Sequence, residues 1–289
     1  MELSFYLIQL LNGIQLGFLL FLIASGMTLV FGIMGIINLA HGSFYMVGAY
    51  LAYWVTSLTD NLLWGILLAL PLLFLIGFLI EKLAISFLYH RDHLSQVLLT
   101  YGLILILSSL QIIFWGKEFH GIDIPSPLNG SIALTDHQNY PVYRLFISFI
   151  CGLTAFGMYF VIQKTRLGMK IRAGSSNREM LRILGIDVNK LYSIVFSVGI
   201  VLAGFAGMLV FPLNAVYPGM EENILIMSFV VITLGGIGSI RGAFLSAMMI
   251  GILETFGGVF FPEISSFLVF GLMALVLMWR PQGLFGQFR

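Results

Sequence analysis

Charge is what this sequence has least of. Asp, Glu, Lys and Arg together make up 9% of its 289 residues, against roughly 25% in an ordinary soluble domain, and none of them occurs in residues 3–59. One helix crosses a bilayer with about 20 apolar residues, so that stretch alone has to hold at least two crossings. The single cysteine, Cys151, lies in an apolar run; it excludes an intrachain disulfide and a Cys/His metal cluster, and is read as a small apolar side chain. No Lys or Arg precedes the first hydrophobic segment, where Glu2 is the one charge as far as Asn12, so a retained span is expected and not a cleaved secretory signal. A net charge of +1 offers no general attraction for nucleic acid. Long polar segments are missing too: no polar loop exceeds about 27 residues, while a soluble domain needs at least about 50, so soluble activity has to come from partners.

What is present is hydrophobic sequence, 59% of the chain. Charge-free segments at residues 5–31, 43–58, 62–80, 94–115, 145–163, 191–211, 223–240, 243–260 and 264–279 predict an all-α polytopic membrane protein of about eight to ten transmembrane helices, a single transmembrane domain over residues 1–289. Residues 164–190 hold Lys164, Arg166, Lys170, Arg172, Arg178, Arg182 and Lys190 against Glu179 and Asp187, and the positive-inside rule puts this loop in the cytoplasm. Parity then makes residues 116–142 external, where Lys117 stands against Glu118, Asp123 and Asp136 among turn formers such as Pro125 and Pro127. Arg280 and Arg289 put the C-terminus inside, and the N-terminus is outside if all nine segments cross.

Two segments, residues 30–51 and 232–253, concentrate glycine at membrane depth. Glycine weakens a helix by about 1 kcal/mol relative to Ala, and non-helical backbone survives in a bilayer only where protein or a water-filled cavity surrounds it. One interrupted segment in each half of a chain points to a transport path. Close packing through small residues is a second and compatible explanation, with Gly13/Gly17 and Gly238/Gly242 at GxxxG spacing. The candidate path residues are Asn38, His41 and Ser43 at the first break and Gly235, Gly236 and Gly238 at the second. A lone intramembrane His is either a hydrogen-bonded structural residue or part of a gate. Arg241 is expected at a cytoplasmic helix end; Glu254 belongs either near the external interface or in a functional burial.

The basic loop predicts one more element. Ser175, Ser176 or Asn177 caps a short helix that Gly185 ends, with Met180, Leu181 and Leu184 on one side and Arg178, Glu179 and Arg182 elsewhere around the wheel. Two turns are too few for a helix to stand alone in water. It therefore docks either in a groove of a partner or on anionic lipid, and the residues by themselves leave both open.

Three stretches, GIINLAHGSFYMVGAY at residues 35–50, RAGSSNREMLRILGI at 172–186 and VVITLGGIGSIRGAFLSAMMIGILE at 230–254, resemble the permeases of high-affinity branched-chain amino acid ABC importers over nearly the whole chain. The resemblance implies an ABC importer permease fold and identifies the middle stretch with the motif that couples such permeases to their ATPases. Arg172, Ala173, Asn177, Glu179 and Gly185 stand where that motif expects them, Leu181 and Leu184 are the apolar coupling candidates, and Met180 takes a place often held by Ala. It implies a bacterial inner-membrane protein with a second homologous permease, two cytoplasmic ATPase subunits and an external substrate-binding protein as partners, besides the lipid bilayer. ATP is then used by the partners, and this chain binds no cofactor or metal.

Other functions leave different marks. Urea or short amides as cargo within the same family would leave the permease pattern almost unchanged. An autonomous channel or secondary transporter would need no docking loop and, if ion-coupled, carboxylates in its spans. An intramembrane enzyme using His41, Glu254 or Asp60 would need a nucleophile or metal set, and HExxH, GxSxG and paired intramembrane acids are all missing, so no residue is assigned to catalysis. The chain is not its own motor: it has no GxxxxGK[ST], and LGGIGSIRG fails GxGxxG because Arg241 replaces the last Gly.

Overall fold

A computed structural model describes residues 3–89, 91–135 and 138–286; Glu2, Asp136 and Arg289, used above, lie outside them. All nine apolar segments are helical: α1 (Leu3–Met34), α2 (His41–Thr59), α3 (Leu62–Leu83), α4 (His93–Trp115), α5 (Val142–Lys164), α8 (Val188–Asn214), α9 (Glu221–Gly235), α10 (Ile240–Phe260) and α11 (Ser265–Trp279). The basic loop contributes α6 (Arg166–Ser176) and α7 (Arg178–Ile183). Among the described residues six helices, α1, α3, α4, α5, α8 and α10, are long and apolar enough to cross a membrane. Of the other three, α2 has 19 residues but is rich in Tyr, Ser, Thr and Gly, and α9 and α11 have 15 residues each, about 22 Å of helix against a hydrocarbon core of about 30 Å.

Between α4 and α5 the loop is not wholly irregular. Strands β1 (Ser131–Thr135) and β2 (Gln138–Pro141) pair antiparallel, Ile132 opposite Tyr140. Next to them His120 forms an isolated bridge with Val216, donates from Nε2 to the Trp115 carbonyl (2.9 Å) and stacks on Tyr53. The α4–α5 connection is thus pinned to α2 and to the segment before α9.

The chain repeats one plan in opposite senses. The long helix α1 ends at Met34, residues 35–40 fold back along it outside any helix, and α2 begins deep in the bundle, where His41 Nε2 donates to the Ile23 carbonyl (2.9 Å). Likewise α8 is followed by a non-helical return over residues 215–220, and α9 begins inside the bundle. The first turns of α2 and α9 meet: a Cβ on Gly42 would sit 2.8 Å from the Glu221 carbonyl oxygen. α3 packs on α2 and α8, and α10 packs on α9 and α1.

Small residues set the spacing at the centre. α1 and α8 cross where Gly26 faces Gly199, and a Cβ on Gly26 would collide with the Gly199 carbonyl oxygen. α1 meets α10 at Gly13 and Gly17, where Cβ atoms would come within 2.9 and 3.0 Å of the Cα atoms of Ile252 and Met248. Bilayer lipid is as apolar as leucine, so close van der Waals approach, not burial, is what holds such helices together. The apolar windows of α1 and α8 are 83% and 78% buried, those of α4 and α5 only 17%, which makes α1 and α8 the axis and α4 and α5 the periphery of the chain.

Adding one methyl group should therefore act very differently at two glycines. Gly26→Ala should cost about 1–3 kcal/mol through overpacking against backbone, whereas Gly271→Ala, where a Cβ meets nothing within 4 Å, should leave stability unchanged or raise it by up to about 1 kcal/mol. Thermal unfolding of the two detergent-solubilised variants checks this.

Candidate functional site

The basic segment is built as a two-helix elbow. Thr165 Oγ1 accepts from the Gly168 N–H to open α6, and the Arg172 guanidinium donates to the Ile162 carbonyl, one of the last free acceptors of α5. Asn177 both ends α6 and starts α7: its N–H donates to the Ala173 carbonyl (2.9 Å), and its Oδ1 accepts from the Met180 N–H (3.0 Å). At the other end Gly185 takes φ = +75°, with Gly185 N donating to Arg182 O and Ile186 N to Leu181 O, the paired bonds of a Schellman stop. Asp187 Oδ1 then accepts from Lys190 N (3.1 Å), which opens α8 and holds the Asp187 carboxyl below its ordinary range. A six-residue helix is held at both ends by its own caps.

Within α7 the apolar residues divide. Leu181 is buried and packs on Gly174, which also faces Leu191 and Ile33, so one contact ties α7 to α6, α8 and the end of α1. Met180, Ile183 and Leu184 point outward, with Ile183 80% exposed, and Glu179, Arg182 and Gly185 are exposed beside them. The outward apolar patch is thus Met180, Ile183 and Leu184, where helical spacing had grouped Leu181 with Met180 and Leu184.

The two glycine-rich breaks lie apart. Asn38, His41 and Ser43 sit at the start of α2, each at most 1% exposed. Asn38 Oδ1 accepts from the Ala40 N–H (3.1 Å), while Asn38 Nδ2, His41 Nδ1 and Ser43 Oγ have no partner. In this conformation they are closed off from solvent. Gly235, Gly236 and Gly238 form the α9–α10 turn at the same end of the bundle as α6 and α7, and they line a cavity there with Gly32, Ser175, Ser176 and Phe285 through Gly238 and its neighbours Ile237 and Ser239. Positive φ at Gly236 (+95°) and Gly238 (+82°) requires glycine, and the C-terminal segment caps the turn, Leu284 N donating to Leu234 O and Phe285 N to Gly235 O. Arg241 is exposed at this same helix end. Glu254 is half-buried in the distant part of α10 and its Oε2 has no partner.

Two acids escaped the sequence reading because each falls just beyond a charge-free segment. Glu81, buried in the last turn of α3, accepts from the hydroxyls of Ser193 on α8 and Tyr89. Glu221, 5% exposed, accepts from Ser108 Oγ (2.9 Å) at the middle of α4, and its Oε2 has no partner. The signal available for Glu221 is the Pro218-Gly219 break followed directly by two acids and an apolar run.

Residues 9–277 match the family described as the permease component of the branched-chain amino acid transport system. The chain is 32% identical to the high-affinity branched-chain amino acid transport system permease protein BraD of Pseudomonas aeruginosa, covering 99% of this chain and 97% of that one. It is 28% identical to the corresponding permease LivH of Escherichia coli over 98% and 96% of the two chains, and 26% identical to its permease LivM over 91% and 67%. Of solved structures, PsaBC from Streptococcus pneumoniae in complex with Fab is similar in fold, with 11% identity, a TM-score of 0.50 and coverage of 91% and 87%.

Leu181→Ala should open a cavity between α7, α6 and α1 at a local cost of about 2–5 kcal/mol. Limited proteolysis should then cut residues 174–187 markedly faster than in the parent, with α1 and α8 still protected; equal cutting rates would mean that α7 is held by something else.

Proposed function

We propose a function that proceeds from one premise: the chain belongs to the family of permease components of branched-chain amino acid transport systems, and is a non-catalytic, multi-pass membrane subunit of an ABC-type transporter. On our reading it is the translocation subunit of an ATP-driven importer for leucine, isoleucine and valine. The single observation that carries the reading is α7, a short helix capped at both ends, which presents Met180, Ile183 and Leu184 outward and ties Leu181 back to the end of α1.

Such a helix suits insertion into a cleft of a cytoplasmic ATPase. Arg172, Ala173 and Asn177 shape the elbow, Glu179 and Leu184 are exposed to meet the ATPase, Leu181 passes its movement inward, and Gly185 sets the exit angle. ATP is bound and hydrolysed by two such partner subunits, and this chain contributes no cofactor. The basic segment over residues 164–190 faces the cytoplasm by the positive-inside rule, and the membrane is the bacterial inner membrane, in keeping with the Pseudomonas and Escherichia relatives. Similarity to both LivH and LivM supports pairing with a second, homologous permease, and an external binding protein delivers the solute. We assign Asn38, His41 and Ser43 to a gate that is shut in this conformation, and Gly235, Gly236 and Gly238 to a flexible turn beside the coupling helix, both biased by the state of the ATPases.

Proteoliposomes holding the assembled subunits and the binding protein should take up leucine only with ATP, and urea should not compete. Gly185→Val forces a β-branched residue into positive φ at about 1–2 kcal/mol, so uptake should fall up to about tenfold while the subunits stay folded; Glu179→Lys should act in the same direction. Parent-level uptake and ATP hydrolysis in both variants would refute the coupling assignment.

A further inference from the structure

Away from α7, towards the opposite end of the bundle, α1, α2, α5, α8, α9 and α10 line a cavity of about 330 Å³. Its two ends differ in chemistry. One end carries Asn12, Gln15 and Arg144; deeper in, Leu20, Ile23 and Ile224 are apolar lining, and Tyr45, Asn214 and Thr255 are further polar lining. Arg144 Nη1 donates to Asn12 Oδ1 (2.8 Å), and the Tyr140 hydroxyl donates to the same oxygen (3.1 Å). A guanidinium has five N–H donors in a planar fork, more than these neighbours use. Gln15 is 94% buried (6% exposed), faces the cavity, and makes no hydrogen bond to any described residue. Its amide is reached from the cavity and is free to hydrogen-bond an occupant there.

We propose that this cavity is a solute-binding site of the permease itself, taking a free amino acid with an aliphatic side chain: carboxylate on the Arg144 guanidinium, ammonium at the Gln15 amide oxygen, side chain on Leu20, Ile23 and Ile224. The proposal rests on the import function argued above and adds to it a site in the membrane subunit. The guanidinium fork fits a carboxylate in two-point contact, and the volume lies within the range of small-molecule sites. Water and urea can accept from the guanidinium but bring neither a negative charge to it nor an apolar part to the lining. A phospholipid headgroup shares the anionic chemistry, and the test separates the two.

The assembled transporter, in lipid nanodiscs and without the external binding protein, should bind radiolabelled leucine saturably. Unlabelled leucine should displace it and leucinol, which lacks the carboxylate, should not. Arg144→Gln should weaken binding at least about tenfold, the loss of a charge-assisted contact, and Gln15→Leu, which keeps the size of the side chain, should weaken it as well; size-exclusion profiles identify any variant that fails to fold. Absence of saturable binding, equal displacement by leucinol, or parent-like binding in well-folded Arg144→Gln and Gln15→Leu would each overturn the proposal. Phospholipid that co-purifies with the parent and is lost from Arg144→Gln, with no leucine bound, would also overturn it and make the cavity a headgroup site. Leucine uptake by the complete system separates the two levels: uptake without binding here refutes this site alone, whereas loss of both refutes the import reading as well.

Discussion

Between Met34 and His41 the chain lies within the bundle but outside any helix, and much of the structure is arranged to cover it. An unsatisfied backbone group in hydrocarbon costs several kcal/mol. The His41 ring tethers the end of this segment to the Ile23 carbonyl, the Asn38 amide turns the chain by accepting from Ala40, and α8 and α9 close over the first turns of α2. The second return, residues 215–220, is covered in the same way through the bridge from Val216 to His120. Glycine then becomes necessary at the axis, because covering two broken segments brings helices to backbone contact at Gly26/Gly199 and at Gly42/Glu221.

The coupling proposed above would act on this arrangement. The most deeply packed helices, α1 and α8, are the ones that α7 reaches through Leu181, Gly174 and Ile33. At the same end, the α9–α10 turn has positive-φ glycines and rests against the C-terminal segment by backbone hydrogen bonds rather than interlocked side chains. On that proposal, a push on α7 would arrive beside a turn whose Gly236 and Gly238 hold positive φ. Polar atoms left without partners at the opposing first turns, Ser43 Oγ, His41 Nδ1 and Glu221 Oε2, are what a second packing arrangement would be free to satisfy.

How much of this could be read from sequence depended on how local each signal was. Gly185 and a set of three cap candidates that includes Asn177 announced the ends of α7, because caps and positive-φ stops are decided by a few neighbouring residues. The break after Met34 was visible in its glycine and polar content. Leu181 was grouped with Met180 and Leu184 because wheel geometry gives the faces of a helix but not which one its own chain covers. The β1–β2 hairpin, α6, and the burial of Glu81 and Glu221 were missed, since each depends on partners distant in the chain: Ser193 for Glu81 and Ser108 for Glu221. Arg144 and Asn12, far apart in sequence, gave no sign of meeting.

On the proposed coupling, the elbow at α6–α7 and the α9–α10 turn would move as a linked pair when partner ATPases change state. Spin labels at Ser176 and Ile237, which line one cavity at that end, in a Cys151-free protein within the assembled transporter, would report their separation by pulsed electron resonance. The account predicts that the distance distribution shifts between the ATP-bound and nucleotide-free states; an unchanged distribution in a transporter that still imports would contradict it.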